Sequence, residues 1–287
     1  MRNADSGFDG YVVERPLGRG GSANVYLAHR PPDEAPVALK VLADDHRDAA
    51  DLERLRREFG FARQFDHPHI VKVYERGPHW LAMEYVDGGN AGGLATLDQR
   101  LDVLAQIAGA LDVVHRGGVV HCDVKPSNIL VFKDFSRGGA VLTDFAVAHS
   151  LAEDMSLRLS RDPANLSLDP AKRITHRPGD HPKTVQASLP YAPPEVLLGR
   201  LPTAASDEYA LACTAAELIT GDPPFMASTQ VALMYAQVHH APPRLSRRYR
   251  GIPAAFDAVL GKALAKNPEL RYETCAEFVA AVQKVLR

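Results

Sequence analysis

Long hydrophobic runs are missing from this chain of 287 residues. No stretch approaches the ~18 consecutive apolar residues that carry a helix across a bilayer, and the opening MRNADSGFDG lacks the apolar centre of a secretion signal. No membrane segment is expected. The most apolar stretch, Tyr209 to Ile219, is short and interrupted by Glu217, so it reads as a buried helix. Cysteine is scarce as well: Cys122, Cys213 and Cys275 are odd in number and widely separated, which fits neither a disulfide framework nor a Cys-x-x-Cys metal site. A reducing, cytoplasmic setting is the simpler expectation. Charge of one sign is also lacking, since 33 basic and 35 acidic side chains leave a net −2. Nucleic acid is therefore not the expected partner. No repeat period or low-complexity tract is visible.

What remains is an ordinary globular composition, 46% hydrophobic and 24% charged, in a chain longer than one core usually supports. Two lobes with a cleft between them are expected. YVVERPL, NVYLAH and PVALKVL alternate as three successive strands around a glycine cluster. From Arg47 to Gln64, Leu52, Leu55, Phe59 and Ala62 recur at three- and four-residue spacing, the pattern of one amphipathic helix. IVKVYERG and HWLAMEY then return to strand. DGGNAGG, with four glycines in seven residues, reads as a hinge-like linker, and helical periodicity dominates beyond it. The expected fold class is α+β, with an antiparallel sheet and one helix in residues 8–86 and a mainly helical lobe in residues 87–287.

Gly18, Gly20 and Gly21 in LGRGGSANV would let backbone N–H groups approach phosphates without a Cβ in the way. By itself a glycine turn in a hairpin accounts for them. A dinucleotide fold is disfavoured, because NVYLAH alternates like a strand where that fold needs a helix. Lys40 in VALK shares a strand face with Ala38. Glu58 on the following helix could pair with it, with Glu53 as the alternative. HCDVKPSN places Asp123 and Asn128 five residues apart after an apolar helix, and TDFA places Asp144 after another strand candidate. Two carboxylates and an amide converging on one cleft suit a metal-bound triphosphate and an attacking hydroxyl.

Taken together, GRGGSANV, VALK, HCDVKPSN, TDFA, PYAPPE and SDEYALACTAAELITGDPPF resemble the eukaryotic-like Ser/Thr protein kinases of bacteria, from about Tyr11 to the end of the chain. The resemblance implies transfer of the ATP γ-phosphate to Ser or Thr of a protein substrate, with Mg²⁺, or Mn²⁺, as the metal. It implies that Lys40 binds the α/β-phosphates, held by Glu58, and that Asp123 orients the substrate hydroxyl and accepts its proton. Lys125 would contact the γ-phosphate, and Asn128 and Asp144 would ligate the metal. Glu84 and Val86 would offer backbone groups to adenine, with Met83 as gatekeeper and Val25, Ala38 and Leu130 around the ring. Ser188 would contact Asp123 and Lys125. Glu195 would pair with Arg271, and Asp207 would brace the catalytic loop from beneath.

Three positions depart from the family pattern. Ala23 stands for the third glycine of the loop. Ala146 replaces the glycine of Asp-Phe-Gly, at a cost of ~1 kcal/mol or more if that residue needs a positive φ. Cys122 replaces the arginine that would receive a phosphate from the activation segment, a contact that a thiol cannot make. The rival expectation is a pseudokinase scaffold. Residues 144–195 form an enlarged activation segment, in which Ser156, Ser160, Ser167, Thr175 and Thr184 lie among Arg158, Arg161, Lys172, Arg173 and Arg177. Self-phosphorylation in trans, through self-association, is one expected source of control.

Overall fold

Alternating residues sort onto two faces in the antiparallel sheet β1 (Val12–Arg19), β2 (Ala23–Arg30), β3 (Asp33–Leu42), β4 (Val73–Arg76) and β5 (Trp80–Glu84), whose spatial order is β1-β2-β3-β5-β4. The structure is a computed structural model that describes residues 8–20, 22–150 and 188–287. Val37, Leu39 and Val41 join Tyr11, Trp80 and Ala82 in a small outer core, whereas Ala38, Leu42, Leu81 and Met83 face the main core. Lys40 shares the parity of Ala38 and Leu42, so the pleat carries its ammonium to the inner side.

Helix α1 (Ala49–Gln64) follows, with the Asp48 carboxylate accepting the Asp51 N–H as its cap. The helix starts two residues later than its charge pattern suggests. Arg47 stays outside and its guanidinium donates to the Leu42 carbonyl. Leu55, Glu58, Phe61 and Ala62 are the buried face, with Leu52 and Phe59 half-buried beside it. Of IVKVYERG only Val73–Arg76 enters the sheet, because Ile70 bridges instead to Leu142.

The stretch at 87–93 is docked, contrary to its expected hinge character. The Gly88 N–H donates to the Val131 carbonyl at 2.9 Å, and the Val131 N–H donates back to Gly89 at 2.9 Å. A Cβ on Gly88 would lie 2.4 Å from the Val131 oxygen, so only glycine permits this approach.

Beyond it lie α2 (Leu97–Arg116), β6 (Val119–Val120), β7 (Ile129–Val131), β8 (Ala140–Leu142) and β9 (His149–Ser150), with β6 paired to β9 and β7 to β8. Helices α3 (Ala204–Thr220), α4 (Gln230–His239), α5 (Ala254–Ala263) and α6 (Cys275–Leu286) complete the lower lobe. α3 is buried continuously from Ser206 to Ala216. The mostly apolar run from Tyr209 onward favours this, and Ser206, Asp207 and Glu208 are accommodated because each has a hydrogen-bond partner. This is an α+β, two-lobed architecture. No helix among the described residues is long and apolar enough to cross a membrane.

Candidate active site

The inner face of β3 presents Lys40 to α1 and to the segment after β8. Its Nζ lies 2.7 and 2.8 Å from the two Glu58 oxygens and 3.0 Å from Asp144 Oδ1. One cation thus ties together three elements, one of them 104 residues away. Glu53, the alternative partner, is exposed and sits 3.6 Å from Arg56. Burial pulls the Lys40 ammonium down, but the Glu58 and Asp144 carboxylates outweigh it and hold the lysine above its ordinary range. Burial also raises the Glu58 carboxyl, to about 6, against the pull of Lys40. Asp144 ends lower than usual, because Lys40 beside it outweighs its own burial.

Below the cleft, the loop between β6 and β7 is built on Asp207 of α3. The Asp207 carboxylate, fully buried, accepts the backbone N–H groups of His121 (2.7 Å) and Cys122 (2.8 Å) and the Nε2–H of His115 (2.8 Å). Those bonds hold its charge below the usual carboxylate range despite burial. Cys122 adopts φ +68°, the left-handed region, so the chain turns sharply there and delivers Asp123 to the cleft. Its thiol donates to the Val120 carbonyl at 3.5 Å. His121 donates to the Thr143 carbonyl at 3.1 Å and packs edge-on against Phe145 at 4.7 Å, linking this loop to the one bearing Asp144.

Asp123 stands at the centre of a polar cluster. Its Oδ2 accepts Lys125 Nζ (2.7 Å) and Asn128 Nδ2 (2.9 Å), and its Oδ1 accepts the Ser188 hydroxyl (3.0 Å). Lys125 also donates to Ser188 Oγ at 2.8 Å, closing a triangle. The second bond from Asn128 Nδ2 goes to the Asp123 carbonyl at 2.9 Å. Both bonds are donated by nitrogen, so the amide oxygen is the atom that Asn128 can offer a cation. That oxygen and the Asp144 carboxylate are hard donors, suited to Mg²⁺ or Mn²⁺ and not to a thiophilic metal.

The residues expected to hold the nucleotide come mainly from β2, β3, β5 and β7. Val25 and Leu130 are half-buried and pack against the core that contains Ala38, Met83 and Val86. The Glu84 N–H is committed to the Lys72 carbonyl at 2.8 Å, so an adenine contact from Glu84 would use its carbonyl. Gly18 meets no atom within 4 Å of an added Cβ, whereas a Cβ on Gly20 would come within 3.2 Å of the Ala23 oxygen. The Gly20 N–H donates to that oxygen at 2.7 Å, closing a tight turn into which Ala23 fits as the first residue of β2. Gly21 lies outside the described residues, as do Ser156, Ser160, Ser167, Thr175, Thr184 and the basic residues among them.

The conditional strain at Ala146 does not arise. Among the described residues the positive φ in this segment belongs to Asp144 itself, at +69°, and Ala146 has none. Deeper in the lobe, Arg271 donates to both Glu195 oxygens at 2.8 Å, and Ser206 supports the same carboxylate at 2.7 Å. Sequence reading missed His115, whose polar position near the end of an apolar helix was a usable signal. It also missed Gln237 and Tyr209, which carry none. Asp112, His115 and Cys275 lie together outside the cleft, but the Asp112 oxygens cap the start of α6 through the N–H groups of Cys275 and Ala276, a structural tie.

A family model for the protein kinase domain matches residues 11–282. The serine/threonine-protein kinase PknJ of Mycobacterium tuberculosis is 37% identical over 299 residues, covering 99% of this chain and 46% of that protein. PknB of Mycobacterium leprae is 34% identical over 293 residues, covering 96% of this chain and 43% of its own length. The chain therefore spans just under half the length of these relatives. The crystal structure of the Mycobacterium tuberculosis PknI kinase domain superposes with a TM-score of 0.68 at 30% identity, covering 96% of this chain and 95% of that one. With the family match running nearly end to end over a cleft of this geometry, the chain belongs to the protein kinase family, among the bacterial serine/threonine kinases.

Proposed function

We propose that the chain transfers the γ-phosphate of ATP to serine or threonine hydroxyls of a protein substrate, with Mg²⁺, or Mn²⁺ in its place, held by Asn128 and Asp144. The observation that carries this reading is the Lys40 bridge to Glu58 and Asp144, formed in the same molecule in which Asp123 is engaged by Ser188, Lys125 and Asn128. These two clusters support the reading, one suited to the nucleotide phosphates and the other to the acceptor hydroxyl. The cation, when bound, neutralises phosphate charge. Lys40 brings its ammonium to the α/β-phosphates while Glu58 keeps α1 inward. Gly18, Gly20 and Gly21 cover the phosphates, and Glu84, Val86, Val25, Ala38 and Leu130 hold the base. Asp123, fixed by two donors on one oxygen, orients the incoming hydroxyl and takes its proton, while Lys125 meets the transferred group.

The lobes divide at residues 8–86 and 87–287, and residues 144–195 are the activation segment. With Cys122 in place of arginine, activity does not depend on a phosphate docking beside Asp123. Phosphorylation of Ser or Thr in residues 151–187 proceeds in trans between two copies, and the scarce cysteines support a cytoplasmic setting. The test is transfer of labelled phosphate from ATP with Mg²⁺, beside Asp123→Asn. The wild type is expected to label Ser or Thr at a rate about 100-fold or more above the variant. Equal labelling across protein concentrations would overturn the proposal in favour of a scaffold.

A further inference from the structure

Ser188 meets Asp123 and Lys125 within 3.0 and 2.8 Å, and the two residues that follow it are hydrogen-bonded from α4. Gln237 on that helix is wholly buried. Its Nε2 donates to the carbonyls of Leu189 (3.2 Å) and Pro190 (2.8 Å), and its Oε1 accepts the Tyr209 hydroxyl at 2.5 Å. Lys266 Nζ donates to the Gln237 main-chain carbonyl at 2.6 Å, which fixes the backbone of α4 at this point. Leu189 and Pro190 directly follow Ser188 in a single 3₁₀ turn, closed by the Tyr191 N–H on the Ser188 carbonyl at 2.9 Å.

One helix therefore supports both partners of the Ser188–Asp123 contact. Asp207 of α3 holds the N–H groups of His121 and Cys122, next to Asp123. Tyr209 lies two residues on, about 200° around the helix, and orients Gln237 toward the turn that follows Ser188. We propose that Gln237 is a positioning residue for the phosphoacceptor site. Through Tyr209 and the Leu189 and Pro190 carbonyls it sets the Ser188 hydroxyl on Asp123 and Lys125, from within the folded lobe and without any phosphate on the preceding segment. The inference rests on the kinase reading above and adds to it a mechanical support that the sequence pattern does not reveal.

The test compares phosphatase-treated wild type with Gln237→Leu and with Tyr209→Phe, which removes only the hydroxyl. In wild type the amides of Tyr191 and Ala192 exchange slowly. In Gln237→Leu they exchange about tenfold faster or more, whereas those of His121 and Cys122 do not change. Turnover of a peptide substrate falls about tenfold with the KM for ATP unaltered, and in a Ser188→Ala background the same substitution costs less than about twofold. Tyr209→Phe gives a smaller change of the same kind. Unchanged exchange at Tyr191 and Ala192, a rise shared equally by His121 and Cys122, or losses that multiply in the double variant would each overturn the role. A wild type that transfers no phosphate would sink the kinase reading alone, since the exchange comparison needs no turnover.

Discussion

Glu208→Gln is expected to flatten the pH dependence of this fold's stability. Glu208 follows Asp207 on α3 and is 2% exposed. Its Oε1 accepts the Tyr272 N–H at 3.0 Å, while its Oε2 is buried with no hydrogen-bond partner among the described residues. Burial pushes this carboxyl up to about 8, against the pull of the Tyr272 N–H, Arg271 and Lys262. At neutral pH the folded chain therefore keeps a proton here that the unfolded chain has lost. Stability from this group is complete below the unfolded pKa of 4.5 and drains away as the pH rises through about 8. At ~1.4 kcal/mol per unit the ceiling is ~5 kcal/mol, and relaxation around the ionised carboxylate brings it to about 2–3 kcal/mol. Glutamine keeps the acceptor for Tyr272, carries no titrating proton, and adds a buried donor whose cost does not vary with pH. Urea unfolding of both proteins at about pH 5.5 and about pH 8.5 measures the difference, with the other titrating groups cancelling between them. The wild type should lose about 1–2 kcal/mol more than the variant over that interval, since the unit between pH 4.5 and about 5.5 lies outside it. Parallel losses would refute the reasoning.

Three further outcomes are expected. Because Glu58 must be ionised to hold Lys40 and its carboxyl lies at about 6, kcat/KM should fall on the acid side of that value, and Glu58→Gln should show a low rate without that limb. Arg271→Met strands the buried Glu195 carboxylate and should cost about 3–5 kcal/mol by denaturant titration, part of which a second change, Glu195→Met, restores. Cys122→Arg supplies the missing guanidinium and should make transfer depend on phosphorylation. Equal rates before and after phosphatase treatment of that variant would count against the proposed independence of wild type.

The strands of the upper lobe were legible because alternation there has two separate cores to sort into, Val37, Leu39 and Val41 on one side and Ala38 and Leu42 on the other. The choice of Glu58 over Glu53 was legible for a related reason. Glu58 follows Leu55 by three residues on the buried stripe, whereas Glu53 lies five residues from Glu58, about 140° around the helix. The docking of residues 87–93 was not legible, because glycine content reports freedom of the backbone and not the neighbour that uses it. Gln237 and Tyr209 were hidden likewise. Their partners are 47 and 28 residues away in the chain, and neither stands out from its local pattern. The position of the left-handed residue, Asp144 and not Ala146, depends on how the loop leaves β8, which no composition encodes.

The pairing of Gly88 and Gly89 with Val131 has a consequence for how the cleft opens. Residues 88–90 travel with the lower lobe as if they were a short extra strand of it, so they cannot serve as the pivot. Angular freedom between the lobes is then left to the few residues between the end of β5 at Glu84 and Asp87. The Asp87 carboxylate is itself tethered to the Lys133 N–H at 2.9 Å. On the proposed reading that Glu84 and Val86 hold the base, the joint coincides with the nucleotide contacts, and a bound base would act as a wedge in the pivot that couples nucleotide occupancy to lobe angle.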